Sequence, residues 1–516
     1  MFQNAVASRT HGALMTDIHQ GPTPTVSFAF DNSFARELPG FYVPWQPQRV
    51  PGPSLIFLNR GLAEELGLQL EQDAAALAEM FSGNRLPAGA EPIAQVYAGH
   101  QFGNFSPQLG DGRALLIGEL VDRLGQRRDV AFKGSGPTPF ARGGDGKAAV
   151  GPMLREVLIG EAMHALGVPT TRALAVVATG ESVYRETPLP GANLTRVALS
   201  HLRVGSFEYH AARGDQDRVR RLADFAIARH DPALAGGEAR YGDFLRAVME
   251  RQAALMARWM GLGFIHGVMN TDNMSISGET IDYGPCAFME TYDPKAVFSS
   301  IDRGGRYAYG KQPGIAQWNL ARLAEALLPL LADDQDEAVA LAMAVINDFP
   351  GRYRHHWLAV MRAKLGLAAG AAGDDADLSL AEDWLALLHQ SRVDFTLGWR
   401  HLADAAAGNL APLRQHFTDL PELDAWLARW QARCAAEAVA PATRAGAMRL
   451  ANPWLIPRNH LVEEALTAAS EENDFEPFQR LLEALARPYE ERTGFERYAA
   501  PAPAVFTATY CTFCGT

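Results

Sequence analysis

Asn273 and Asp282 stand nine residues apart in this chain, at the end of the run His266-Gly267-Val268-Met269-Asn270-Thr271-Asp272-Asn273 and at the start of Asp282-Tyr283-Gly284. An amide oxygen and a carboxylate on one side of a predicted hairpin are hard ligands of the kind that hold a metal ion bridging phosphates. Asp272, beside that pair, is placed to accept a proton from an attacking hydroxyl. The bland alternative is an Asx-rich turn between two strands.

Three other groupings bear on phosphate chemistry. Lys133 ends the strand-like run Asp129-Val130-Ala131-Phe132-Lys133, and Glu156 follows 23 residues later on a predicted helix. A strand lysine held by a helix glutamate aims an ammonium at phosphates without leaving it unpaired, although a surface lysine and a solvated glutamate would look the same. Gly110-Asp111-Gly112-Arg113 precedes an apolar strand; its glycines let backbone N–H groups approach phosphate oxygens and Arg113 adds a fork of donors, but a simple hairpin turn fits equally well. Arg196 and Arg203 lie seven apart in a strand-rich run, together with Asp145-Gly146 in a glycine-rich loop. In a regular strand that odd spacing sends the two arginines to opposite faces, so a shared ligand demands a bend or bulge. Cys511-Thr512-Phe513-Cys514 has no second cysteine pair or histidine at metal spacing, and no P-loop is present.

These residues need elements to carry them. Residues 26 to about 85 read as an irregular extension with helix between Leu62 and Met80. Strands are predicted at Ala114–Val121, Asp129–Lys133, Ala173–Ala178 and Thr195–Phe207. Between them Leu154, Leu158, Ala162 and Ala165 repeat at helical spacing, with Pro152 in the first turn and Gly167 as a stop. After about residue 210 the pattern turns helical: Phe244, Val248, Leu255, Trp259 and Leu262 mark the buried face of a long helix ending at Gly263. Ala368–Asp377 reads as a surface loop, and Pro501–Thr516 as a mobile tail.

The chain has 516 residues, 48% hydrophobic and 21% charged, enough to build more than one lobe. No apolar run is long enough to span a membrane. A net charge of −12 argues against a general nucleic-acid binder. Met1–Thr25 lacks the marks of a secretory or transit segment, and four cysteines fit a reducing compartment, so a cytoplasmic protein is expected, with a monomer as the simplest state.

The runs Phe30-Asp31-Asn32-Ser33-Phe34-Ala35-Arg36-Glu37-Leu38-Pro39-Gly40, Lys133-Gly134-Ser135-Gly136-Pro137-Thr138-Pro139, Asn270-Thr271-Asp272-Asn273-Met274 and Ile281-Asp282-Tyr283-Gly284-Pro285 resemble the selenoprotein O family, and the resemblance covers most of the chain. It implies an α+β, bilobal protein-kinase-like fold. The expected divisions are an extension over 1–88, a strand-rich nucleotide lobe over 89–208, a helical lobe over 209–420 and a C-terminal helical extension over 421–516. It further implies transfer of AMP from ATP, or UMP from UTP, to Ser, Thr and Tyr hydroxyls of proteins, the enzyme included, from a nucleotide that lies flipped relative to ordinary kinases. By the same resemblance Gly110, Gly112, Arg113, Lys133, Asp145, Gly146, Arg196, Arg203 and Asp282 look like nucleotide ligands, with Glu156 orienting Lys133. Asn273 and Asp282 look like ligands of magnesium or manganese, with ATP as co-substrate, and Asp272 looks like the proton acceptor. Some family members carry Cys-x-x-selenocysteine where this chain has Cys511 and Cys514. Some are thought to link the tail by a disulfide to a cysteine after Asp-Tyr-Gly, but Phe298-Ser299-Ser300 occupy that region here and Cys286 lies earlier. Ordinary kinases place their base two residues after the loop histidine, where this chain has Val268. A kinase and an inactive nucleotide-binding scaffold are the competing readings.

Overall fold

The computed structural model describes residues 28–70, 73–369 and 373–513. The run Met1–Thr25, the centre of the loop predicted at Ala368–Asp377, and Cys514 lie outside the described residues. Alternating apolar residues build an antiparallel sheet whose order is Tyr42–Pro44, Ile93–Gln95, Ala114–Val121, Arg127–Lys133, Pro188–Ala198, Arg172–Tyr184 and Ser54–Leu58; the short strand Ala148–Ala149 also pairs with Pro188–Ala198. The period of two is visible in the packing. Leu116 faces one core while Leu115 and Ile117 face another, on the opposite side of the sheet.

Both faces are covered. On one lie the helices Arg60–Glu65 and Ala74–Phe81, whose Leu62, Leu77 and Phe81 join Leu115, Ile117 and Phe132. The segment read as an irregular extension thus supplies this cover and both outer strands of the sheet, and its single predicted helix is two short ones. The other face receives the helix Val150–Ala165. That helix is buried nearly all round, because Asn459–Thr467 and Glu476–Leu485 pack on its far side. Beyond the sheet the chain is helical, with Arg240–Leu262 packed on Gln312–Leu331 and Gln335–Leu365. A separate core built on Trp384, Trp399, Trp426 and Trp430 fills the far end. The whole is a mixed α/β architecture of one large antiparallel sheet, two small two-stranded ones and many helices. No described helix is long and apolar enough to cross a membrane.

Three expectations are corrected. The strand predicted at Thr195–Phe207 ends at Ala198, and Val204–Ala211 is a helix. Its Val204 and Phe207 have strand-like propensities, but they sit three apart and both are buried, so tertiary packing overrides the local preference. The segment between Asn273 and Asp282 does not pair with itself as a hairpin. It pairs outward instead, Ser275 with Arg203 and Thr280 with Thr170. The tail predicted to be mobile is docked: Ala504–Thr509 is helical, and Thr512 pairs with Ser299, with the Thr512 N–H donating to Phe298 O at 2.8 Å and the Ser300 N–H to Thr512 O at 2.9 Å.

The helix Gln216–His230 is tied to the sheet by Arg229, which donates to Glu119 Oε1 at 2.6 Å and to Asp129 Oδ1 at 2.5 Å. Glu119 also accepts from Ser33, and Asp129 Oδ2 accepts from the His201 backbone N–H at 2.8 Å. All three charged groups are buried, so removing the cation leaves two carboxylates unpaired away from water. Arg229→Met is expected to destabilise the protein by about 3–5 kcal/mol, read as a lowered denaturant midpoint.

Candidate active site

Lys133 closes the strand Arg127–Lys133, paired across the sheet with Ala114 on one side and Leu194 on the other. Its backbone is therefore held from both sides at the end of a central strand, and its side chain is buried. It donates to Glu156 Oε1 at 2.7 Å and to Asp282 Oδ1 at 2.5 Å. Glu156 Oε1 also accepts from the Tyr283 backbone N–H at 3.2 Å, so a single carboxylate orients the lysine and anchors the residue after Asp282. On the other side of Asp282 the His266 ring meets Ile281 O at 2.8 Å. Asp282 itself has φ 63°, a left-handed conformation uncommon for a residue with a side chain, and these neighbours hold it there.

Arg196 donates to Asp282 Oδ1 at 2.6 Å, and Arg203 donates to Asp272 O at 3.1 Å while its guanidinium lies 4.3 Å from the centre of the Tyr97 ring. The spacing of seven does not separate the arginines, because a register shift falls between Thr195 and Arg196 and Arg203 has left the strand to cap the helix Val204–Ala211. Burial alone would raise the pKa of Asp282, yet the charges of Lys133, Arg196 and Arg203 hold its carboxyl well below the usual range. Asp272 differs: burial pushes it up to about 6 against the opposing pull of Arg203. Its Oδ1 is buried without a hydrogen-bond partner.

Asn273 donates its amide N–H to Val268 O at 3.0 Å, which leaves the amide oxygen as its free polar atom. That oxygen and the Asp282 carboxylate are the hard donors a magnesium or manganese ion takes. Among the described residues no cluster of three or more His, Cys, Asp or Glu side chains is placed to hold a metal, so an ion here would draw its remaining ligands from phosphate and water.

These groups line a cleft of about 780 Å³, together with the turn Gly110–Arg113. Gly110 has φ 78° and a Cβ there would come within 2.5 Å of the Phe140 ring, so the turn requires glycine for packing as well as for close approach. Arg113 enters the cleft with Nη1 buried and unpartnered, a donor fitted to an anion. Gly146 lines the cleft, whereas the Asp145 carboxylate pairs with Arg185 at 2.8 Å. Residues with no motif to betray them complete the walls. Arg155 donates to Cys286 O at 2.6 Å and to Glu463 at 3.0 Å, and Gln101, Cys511 and Thr512 also border the space. Their only signal in the sequence is polarity beside apolar runs, which is too common to single them out.

Arg113, Lys133, Arg196 and Arg203 thus line the cleft together with Asp272 and the ionised Asp282, and the chain that carries this cleft is a nucleotidyltransferase. The chain belongs to the protein adenylyltransferase SelO family, whose model matches residues 24–486. It is 61% identical over 494 residues to a protein nucleotidyltransferase YdiU of Cereibacter sphaeroides (strain KD131), covering 95% of this chain and 100% of the relative. It is also 59% identical over 481 residues to the one from Chromobacterium violaceum, covering 93% and 100%. To the one from Rhizobium johnstonii it is 54% identical over 504 residues, covering 97% and 100%.

Asp282→Asn keeps the shape of the side chain and removes the charge on which Lys133 and Arg196 converge. It is expected to weaken magnesium-dependent ATP binding at least about tenfold, measured by titration calorimetry with and without the metal.

Proposed function

We propose that the protein transfers AMP from ATP, with UTP as a second donor, to Ser, Thr and Tyr hydroxyls of proteins, its own included, on a bilobal protein-kinase-like frame. The observation that carries this reading is the pairing of a missing group with a present one. Val268 stands where an ordinary kinase places its base, while Asp272 offers a buried, unpartnered Oδ1 beside Asn273. In the reaction the acceptor oxygen attacks the α-phosphorus. The new O–P bond replaces the bond to the β-phosphate oxygen, pyrophosphate leaves, and the hydroxyl proton passes to Asp272. Lys133, Arg113, Arg196 and Arg203 hold the phosphate charge, and Glu156 keeps Lys133 aimed. Magnesium or manganese, held by Asn273 and Asp282, supplies charge neutralisation on the phosphates. The backbone of Gly110, Gly112 and Gly146 takes phosphate oxygens, and Asp145 reaches the nucleotide only by leaving Arg185. A cytoplasmic setting, with ATP, magnesium and reduced thiols, suits this chemistry.

ATP labelled in the α-phosphate is expected to mark both the enzyme and added protein substrates, while ATP labelled in the γ-phosphate marks neither. Label arriving only from the γ position would make the protein a kinase, and label from neither would make it a binding scaffold. Asp272→Asn is expected to lower turnover by about 10²–10⁴-fold with ATP binding retained, measured by the mass of added AMP over time. Chelation of divalent cations should abolish the labelling, and magnesium should restore it.

A further inference from the structure

The strands Gly99–Gln101 and Asn104–Ser106 form a small hairpin that belongs to neither the main sheet nor the helical part of the molecule. It lies across the loop that carries Asp272. Main-chain bonds fasten it there: the His100 N–H donates to Thr271 Oγ1 at 2.7 Å, and the Phe102 N–H donates to Asn270 Oδ1 at 3.0 Å. The same Asn270 oxygen accepts from the Tyr307 hydroxyl at 2.6 Å, and Glu208 receives both the His100 ring at 2.5 Å and the Thr271 hydroxyl at 2.5 Å. Asn270 and Thr271, the two residues before Asp272, are thus fixed by contacts that do not involve Asp272.

The side chains between these anchors treat the two oxygens of Asp272 differently. Gln101 donates its amide N–H to Asp272 Oδ2 at 3.3 Å. Oδ1 is left buried without a partner. Gly99 packs directly against it, since a Cβ at that position would stand 2.8 Å from Oδ1. A carboxylate tethered through one oxygen and packed beside the other has its plane fixed, which is the condition for accepting a proton from a hydroxyl bound in the cleft.

We infer that Gln101 is a positioning residue for the transfer reaction: its amide holds Asp272 by Oδ2 and so fixes the plane of the carboxylate that serves the acceptor hydroxyl. The inference rests on the role proposed above for Asp272, and its test separates the two. Gln101→Leu removes the donor and keeps most of the bulk. Gln101→Glu keeps the shape, removes the donor and sets a like charge against Asp272. Because the hairpin is fastened through its main chain, both variants should fold and bind ATP as the wild type does, checked by thermal melting and calorimetry. In steady-state AMP transfer to a protein acceptor, each is expected to lower kcat by about 10–100-fold while KM for ATP stays within about twofold. Gln101→Asn, a shorter donor, should recover part of the loss. On the Asp272→Asn background, Gln101→Leu should cost nothing more, because the group it orients no longer serves as base. Wild-type kcat in Gln101→Leu alongside a crippled Asp272→Asn would overturn the positioning role and leave the base standing, as would equal losses from Gln101→Leu on both backgrounds. Full turnover by Asp272→Asn would overturn the base assignment itself, and the inference with it.

Discussion

One carboxylate oxygen, Oδ1 of Asp282, receives the ammonium of Lys133 and the guanidinium of Arg196. Two cations cannot be brought so close without an anion between them, and a buried anion cannot persist without such partners. The pair of contacts therefore fixes three parts of the chain at once: the end of a sheet strand, the bulged strand beside it, and the segment that carries Asp282. Glu156 extends the arrangement to a fourth part, the helix that lies on the sheet. Everything that defines the phosphate-binding end of the cleft is referenced to this cluster. Lys133 and Arg196 are engaged by Asp282 and Glu156, whereas Nη1 of Arg113 is buried in the same cleft without a partner.

Asp272 is held by different means. Its environment is poor in partners, and its two oxygens are distinguished by a hairpin that reaches over from the other side of the cleft. A site that transfers a nucleotidyl group needs both conditions close together: a strongly ionised centre for the phosphates and a less solvated carboxylate for the hydroxyl proton. The charge of Asp282 helps to raise the pKa of Asp272, while the cations around Asp282 hold its own pKa down. Arg203 mediates between them, since it touches the backbone of Asp272 and adds its charge to that felt by Asp282.

The groups of the cleft were legible in the sequence to the extent that their spacing is local. Lys133 and Glu156 follow a strand and a helix whose periodicities are clear, and Asn273 and Asp282 sit in a polar run after a long apolar helix. Arg196 and Arg203 were legible only through the family resemblance, because a bulge and a helix cap bring them together and neither has a periodic signature. Gln101 and Arg155 gave no sign, since their partners lie in distant segments. Propensity misled where packing was decisive: Val204 and Phe207 favour a strand but are buried on a helix. The tail looked unstructured because its proline and small residues carry no period, yet its backbone finds partners in Phe298 and Ser300. The length of the cover on the helix Val150–Ala165 was equally invisible, being supplied from more than three hundred residues downstream.

That last distance bears on how the molecule comes to be folded. Arg155 meets Glu463 across 308 positions and Tyr510 across 355. Such contacts close very long loops, at an entropic cost that grows only slowly with length. The cleft is therefore complete only when the C-terminal helices are docked, since Glu463, Thr467 and Glu471 line it. A partly folded molecule, with its sheet assembled but its C-terminal helices undocked, would lack a wall of the cleft and hold ATP poorly. Capture of ATP then stabilises the finished chain over its precursors, and the enzyme's own substrate acts on the side of maturation.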